Sequence, residues 1–84
     1  MIEVRFFGRV RETLGRSALR LEYDPGIADL DALTSALCAA NGPLWAETLS
    51  EPNLIRALNH AVVEGNADLA DGDEVAFFPP VTGG

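Results

Sequence analysis

A single cysteine, Cys38, excludes an internal disulfide and any cysteine-based zinc site. Basic residues are scarce too: six stand against thirteen carboxylates, for a net charge of -7. Tracking nucleic-acid phosphates needs clustered cations, so that class is set aside. The acid excess favours solubility and steering toward basic partner surfaces. The longest apolar runs fall far short of the ~18 residues that a membrane-spanning helix needs. Met1-Ile2-Glu3 opens without the basic and apolar regions of a signal peptide. The expectation is a cytoplasmic protein with neither a membrane nor a nucleic acid as partner. No glycine-rich phosphate loop occurs, and no internal repeat or low-complexity run. With one histidine in a turn and one cysteine on a helix, no nucleophile–base pair presents itself.

What is present reads as one small α+β domain. Its 84 residues are 48% apolar and 23% charged, a globular balance, although so short a chain buries only about 60% of its unfolded surface. Ile2 to Phe7 alternates with period two, placing Ile2, Val4 and Phe6 toward a core, and Gly8 ends that strand. Arg9 to Leu14 tolerates a helix that Gly15 can close in the left-handed region. Ala18 to Tyr23 alternates again, with Leu19 and Leu21 inward, and Asp24-Pro25-Gly26 is a turn signal. The main helix starts at an Asp29 cap. Leu30, Leu33, Leu37 and Ala40 form its inner stripe, and Asn41-Gly42-Pro43 stops it. Leu44 to Leu49 adds a further turn, with Trp45 as a lid on the core. Leu54–Leu58, Ala61–Glu64 and Glu74–Phe78 read as strands, separated by an Asn59-His60 turn and an Asp71-Gly72-Asp73 turn. Strand, strand, helix and three strands predict a β-grasp roll, with a mixed sheet of about five strands and the first and last side by side. Cys38 reads as a small buried apolar residue and His60 as a surface turn residue. Asp71 and Asp73 lack the spacing of a calcium loop.

Two features stand out. Pro79-Pro80 ends sheet pairing and stiffens the exit, and the chain closes on Gly83-Gly84. Residues 1–78 therefore read as the folded domain and 79–84 as an extended tail. That tail is either a frayed terminus or a thread whose carboxylate enters a channel too narrow for side chains. The second feature is a break in parity. Outward positions of the first strand are Glu3, Arg5 and Phe7; those of the last are Glu74, Ala76 and Phe78. If the strands are neighbours, Phe7 and Phe78 share an exposed patch that Val62 can join. Either this is a contact surface, or strand twist or Trp45 covers it.

The stretch from Asp71 to Gly84, with Phe77-Phe78-Pro79-Pro80-Val81-Thr82-Gly83-Gly84 at its end, resembles the small subunits of molybdopterin synthase. Val4-Arg5-Phe6-Phe7 followed by Val10-Arg11-Glu12 is similar to their opening strand and loop. These are ubiquitin-like, β-grasp sulfur carriers. The resemblance implies that the Gly84 carboxylate is adenylated by a ubiquitin-activating-like enzyme using ATP and magnesium. A sulfur-donor protein then supplies the sulfur of a Gly84 thiocarboxylate. It further implies that Gly83, Thr82 and Val81 thread into the large synthase subunit, where sulfur passes to cyclic pyranopterin monophosphate to build the molybdopterin dithiolene. Phe7, Arg11, Val62, Phe78, Pro79 and Pro80 would contact partners, in a heterotetramer of two small and two large subunits. The acid–base groups would belong to the partners, leaving this chain without catalysis of its own and without a bound cofactor or metal. No basic residue precedes Gly83, which sets the tail apart from that of ubiquitin. A carrier for another sulfur pathway, such as that of thiamine thiazole, and a non-catalytic ubiquitin-like interaction module are the alternatives.

Overall fold

In the computed structural model, residues 1–80 are described; Val81, Thr82, Gly83 and Gly84 lie outside the described residues. Five strands are observed: β1 (Ile2–Phe6), β2 (Ala18–Leu21), β3 (Ile55–Leu58), β4 (Ala61–Val63) and β5 (Glu74–Phe78). Helices α1 (Gly8–Leu14), α2 (Leu30–Asn41) and α3 (Pro43–Leu49) and a 3-10 turn at Pro25–Ile27 complete the order. The sheet runs β2-β1-β5-β3-β4. Its central pair, β1 and β5, is parallel and in register from Glu3↔Glu74 to Phe6↔Phe77; the other pairings are antiparallel. This is the expected β-grasp sheet, with the helices covering one face.

Period-two burial in β1 and β5 drives the layering. Ile2, Val4, Phe6, Val75 and Phe77 are buried on the helix side, where Leu30, Leu33 and Leu37 of α2 meet them. Each such side chain contributes roughly 1.5–3 kcal/mol by leaving water. Asp29 caps α2 by accepting from the Ala32 amide at 2.7 Å, and the amide of Asp31 donates to Asn66 Oδ1 at 2.9 Å. On the inner side of β3, Arg56 ties the sheet to α2. It pairs with Asp31 at 2.8 Å and donates to the Gly65 carbonyl at 2.7 Å.

Several expectations are corrected. Ala40 is exposed rather than on the inner stripe. Beyond Leu37 the core is filled by α3 instead, which turns back at Gly42-Pro43 and inserts Trp45 and Leu49. Trp45 stands edge-on to Phe6, with centroids 5.3 Å apart, so it seals the helix side and leaves the outer face alone. The Arg9–Leu14 stretch is a true helix, starting at Gly8 and closed by Gly15 in the left-handed region. It links β1 and β2 and buries Val10 and Leu14. The second strand stops at Leu21 rather than Tyr23, and the third starts at Ile55 rather than Leu54. The fourth ends at Val63 rather than Glu64. Ala76 faces outward as expected but is only 7% exposed, because larger neighbours close over a side chain of one carbon. Leu69, in the loop before β5, is a core residue that periodicity did not single out.

The turns serve structure. Asn59 and His60 both take positive φ, 50° and 70°, as a two-residue hairpin turn requires. The Asn59 side chain then bridges to β5, accepting from the Glu74 amide and donating to Asp73 Oδ1. Asp73 also accepts from the Ala70 amide, and Asp71 meets the Met1 ammonium. No cluster of acidic, histidine or cysteine side chains suited to a metal occurs among the described residues. Cys38 is partly buried against Trp45, and burial pushes its thiol pKa up.

Candidate functional site

The outer face of the sheet carries no helix. At one end of it the parallel register of β1 and β5 brings Phe7 and Phe78 side by side. The Phe7 amide donates to the Phe77 carbonyl at 3.1 Å, which extends the ladder one residue past β1. Phe7 itself is extended, at φ -125° and ψ 156°, so its ring keeps the outward parity of Glu3 and Arg5. The two rings stack with centroids 4.7 Å apart and planes within 7°, a contact worth about 0.5–1.5 kcal/mol beyond the area it buries. Phe7 remains 38% exposed and Val62 69% exposed, while Phe78 is half-buried.

Ile55 pairs with Phe78 and adds a second aliphatic wall, which sequence reasoning missed. In Leu54–Leu58 both faces are apolar enough that alternation does not show which side chain points out. The signal lay in the cross-strand register, which only the tertiary pairing supplies. Phe7, Ile55, Val62, Phe78, Pro79 and Pro80 border a shallow hollow of about 600 Å³. A second hollow, of about 370 Å³, is floored by Ala57 and Ala76. Its rim is ionic. Arg5 lies 3.4 Å from Glu74 and 3.1 Å from Glu3, and His60 Nε2 is 3.5 Å from the other Glu74 oxygen.

The tail leaves from this patch. Pro79 directly follows the strand, and its ring lies against Gly8. A Cβ built on Gly8 would come within 3.0 Å of Pro79 Cγ, and Gly8 has φ +56°. Glycine is thus required here twice over, for the turn into α1 and for the approach of the proline. Gly8 thus packs against Pro79 as well as ending the strand, a contact that motif reading had missed. Among the candidate residues, Phe7, Val62, Phe78, Pro79 and Pro80 converge on one surface. Arg11 does not border these hollows; it is exposed in the last turn of α1. Val81, Thr82, Gly83 and Gly84 lie outside the described residues.

The ThiS family profile matches residues 4–84. The chain belongs to the ThiS family. A relative from Escherichia coli (strain K12), named molybdopterin synthase sulfur carrier subunit, is 44% identical over 84 residues, the full length of both chains. Among solved structures, SAMP1 from Haloferax volcanii aligns with a TM-score of 0.74 at 26% identity, over 99% of this chain and 98% of that one. A protein–protein complex of subunits 1 and 2 of molybdopterin-converting factor from Helicobacter pylori 26695 contains a chain with a TM-score of 0.66 and 28% identity. That match spans 99% of this chain and 97% of the other. The ThiS-family match runs through both strand ends that build the aromatic patch and on through the Gly-Gly terminus. Among the described residues of this ThiS-family chain, no helix is long and apolar enough to cross a membrane.

Proposed function

We propose that this chain is the sulfur carrier subunit of molybdopterin synthase, acting in the cytoplasm. Its outer face docks onto the large subunit and its Gly84 carboxylate carries the sulfur. The observation that carries this reading is the stacked Phe7–Phe78 pair, exposed where the Pro79-Pro80 exit leaves the sheet. An apolar surface left open at the root of a tail can anchor a partner and aim the tail in one step. The kinship with sulfur carrier subunits, and with a chain from a protein–protein complex of subunits 1 and 2 of molybdopterin-converting factor, supports the same partner.

The chemistry divides between chains. A carboxylate is a poor electrophile, so an adenylating enzyme with ATP and magnesium would first convert Gly84 to an acyl-adenylate. The terminal sulfur of a persulfide donor would displace AMP to give an acyl disulfide; a second thiol would attack its donor-side sulfur, forming a disulfide and leaving the thiocarboxylate, a softer and stronger nucleophile at neutral pH. Gly83 and Gly84, without side chains, suit a narrow channel in the partner, and Val81 and Thr82 would line its mouth. The described residues of this chain supply docking and aim. Acid–base groups for the transfer would come from the large subunit, in an assembly of two small and two large subunits.

Intact mass from the native host tests the reading. Sulfur loading replaces one oxygen at the terminus and adds about 16 Da, by the acyl-activation logic of covalent catalysis. Deleting Gly84 should leave the melt unchanged and abolish both the mass gain and the conversion of precursor by large subunit plus loading enzyme. Full conversion by the truncated chain would overturn the mechanism.

A further inference from the structure

Two hollows on the outer face flank one ridge, because Phe7, Val62 and Phe78 border both of them. The larger also holds Pro79 and Pro80 and so belongs to the root of the tail. The smaller, of about 370 Å³, lies on the side away from the tail, and the strand register builds it. Arg5 pairs with Ala76, Ala76 with Ala57, and Ala57 with Val62. These four side chains form one row across β1, β5, β3 and β4 on the same face of the sheet. The next row toward the tail holds the Phe7–Phe78 stack, with Ile55 beside Phe78. The next row away from it holds Glu3 and Glu74. The two central places of the middle row are therefore alanines, with larger side chains around them. Alanine is disfavoured in strands, and no helix residue borders this hollow to demand a small side chain. The ions of the rim are engaged with one another. Arg5 spans Glu3 and Glu74, and His60 Nε2 stands 3.5 Å from the second Glu74 oxygen.

We propose that this alanine-floored hollow is a socket for one apolar side chain, aliphatic or aromatic, that projects from the large subunit. This rests on the docking reading above and adds the shape and chemistry of the facing surface. The partner straddles the ridge of Phe7, Phe78 and Val62, following the tail on one side and inserting a side chain on the other. A contact at the ridge alone leaves the carrier free to turn about its tail. A second contact off that axis fixes the direction in which the tail leaves. The occupant is apolar because the floor is two methyl groups and the wall is the aromatic ridge. The rim asks for no countercharge, since its ions already have partners, and it shields a central apolar contact from water.

The test fills the socket in the full chain and measures binding to the large subunit from the same source by calorimetry. Ala76→Leu places a larger side chain in open space on the outer face, so its urea midpoint should hold or rise. Its affinity should fall at least about tenfold, because the partner's side chain no longer fits. Ala57→Ile, on the neighbouring strand and with better strand propensity, should repeat the result and decides the matter if Ala76→Leu does not fold. Ala76→Ser, close to alanine in size, should lose clearly less than Ala76→Leu. Wild-type or tighter binding by a folded, filled variant overturns the proposal, and so does a loss for Ala76→Ser equal to that for Ala76→Leu. Phe78→Ala in the same series separates the two claims. If it is weakened while the filled variants bind like wild type, only the socket falls. If Phe78→Ala itself binds like wild type, the docking reading falls.

Discussion

Phe77 and Phe78 are neighbours in sequence with opposite environments, and replacing each by alanine separates folding from docking. Phe77 is fully buried and stacks on Phe6 with centroids 5.7 Å apart. Truncating a buried phenylalanine costs roughly 3–5 kcal/mol through lost contact and the cavity left behind. An 84-residue domain has only roughly 4–13 kcal/mol in total, so Phe77→Ala should lose a large part of its stability. Phe78 is half-buried on the open face and stacks on the Phe7 ring. Losing that stack should cost about 0.5–1.5 kcal/mol beyond the part of the ring already out of water, still less than the loss at Phe77. Docking reverses the order. A phenylalanine covered by a partner contributes about 1.5–3 kcal/mol, and ~1.4 kcal/mol is tenfold in affinity. Phe78→Ala should therefore bind the large subunit at least about tenfold more weakly. Phe77→Ala should bind in proportion to its folded fraction. Urea melts and titration calorimetry on both variants check the contrast. A collapsed melt with wild-type affinity for Phe78→Ala would refute the outward assignment and the interface together.

Gly8→Ala forces a positive-φ site and pushes on the Pro79 ring; it should destabilise the fold by about 1 kcal/mol or more and lower sulfur transfer beyond the loss of folded protein, as a melt paired with a turnover assay would reveal. Leu33→Ala, at a position 1% exposed on the inner face of α2, should cost roughly 2–5 kcal/mol; an unchanged denaturation midpoint would mean that this face does not bear on the sheet. Burial raises the Cys38 pKa, so less thiolate is present at neutral pH and alkylation should run slower than for a free cysteine; equal rates at pH 8 would contradict the packing beside Trp45.

Local sequence alone determined the elements whose signals are short-range. Alternation in Ile2–Phe6 and Glu74–Phe78 specified both strands and their buried faces, because period two follows from the pleat itself. Asp29 and the Leu30, Leu33 and Leu37 stripe marked α2, Gly15 marked the end of α1, and Asn59-His60 marked the hairpin. Parity also singled out Phe7, Val62 and Phe78, since aromatic and aliphatic side chains on a solvent face conflict with burial. The terminal Gly-Gly was visible as composition. Tertiary structure decided what depends on residues far apart in the chain. It placed Ile55 beside Phe78 through the β3–β5 register and closed the neighbours of Ala76 over it. It left Ala40 exposed because α3 turns back to fill the core, and it recruited Leu69 from a loop without periodicity. It set Pro79 against Gly8. Propensity and pattern act over a few residues, whereas side chains become neighbours only after the sheet has chosen its strand order. The Gly-Gly tail was therefore legible from the chain, and the apolar surface at its root required the fold.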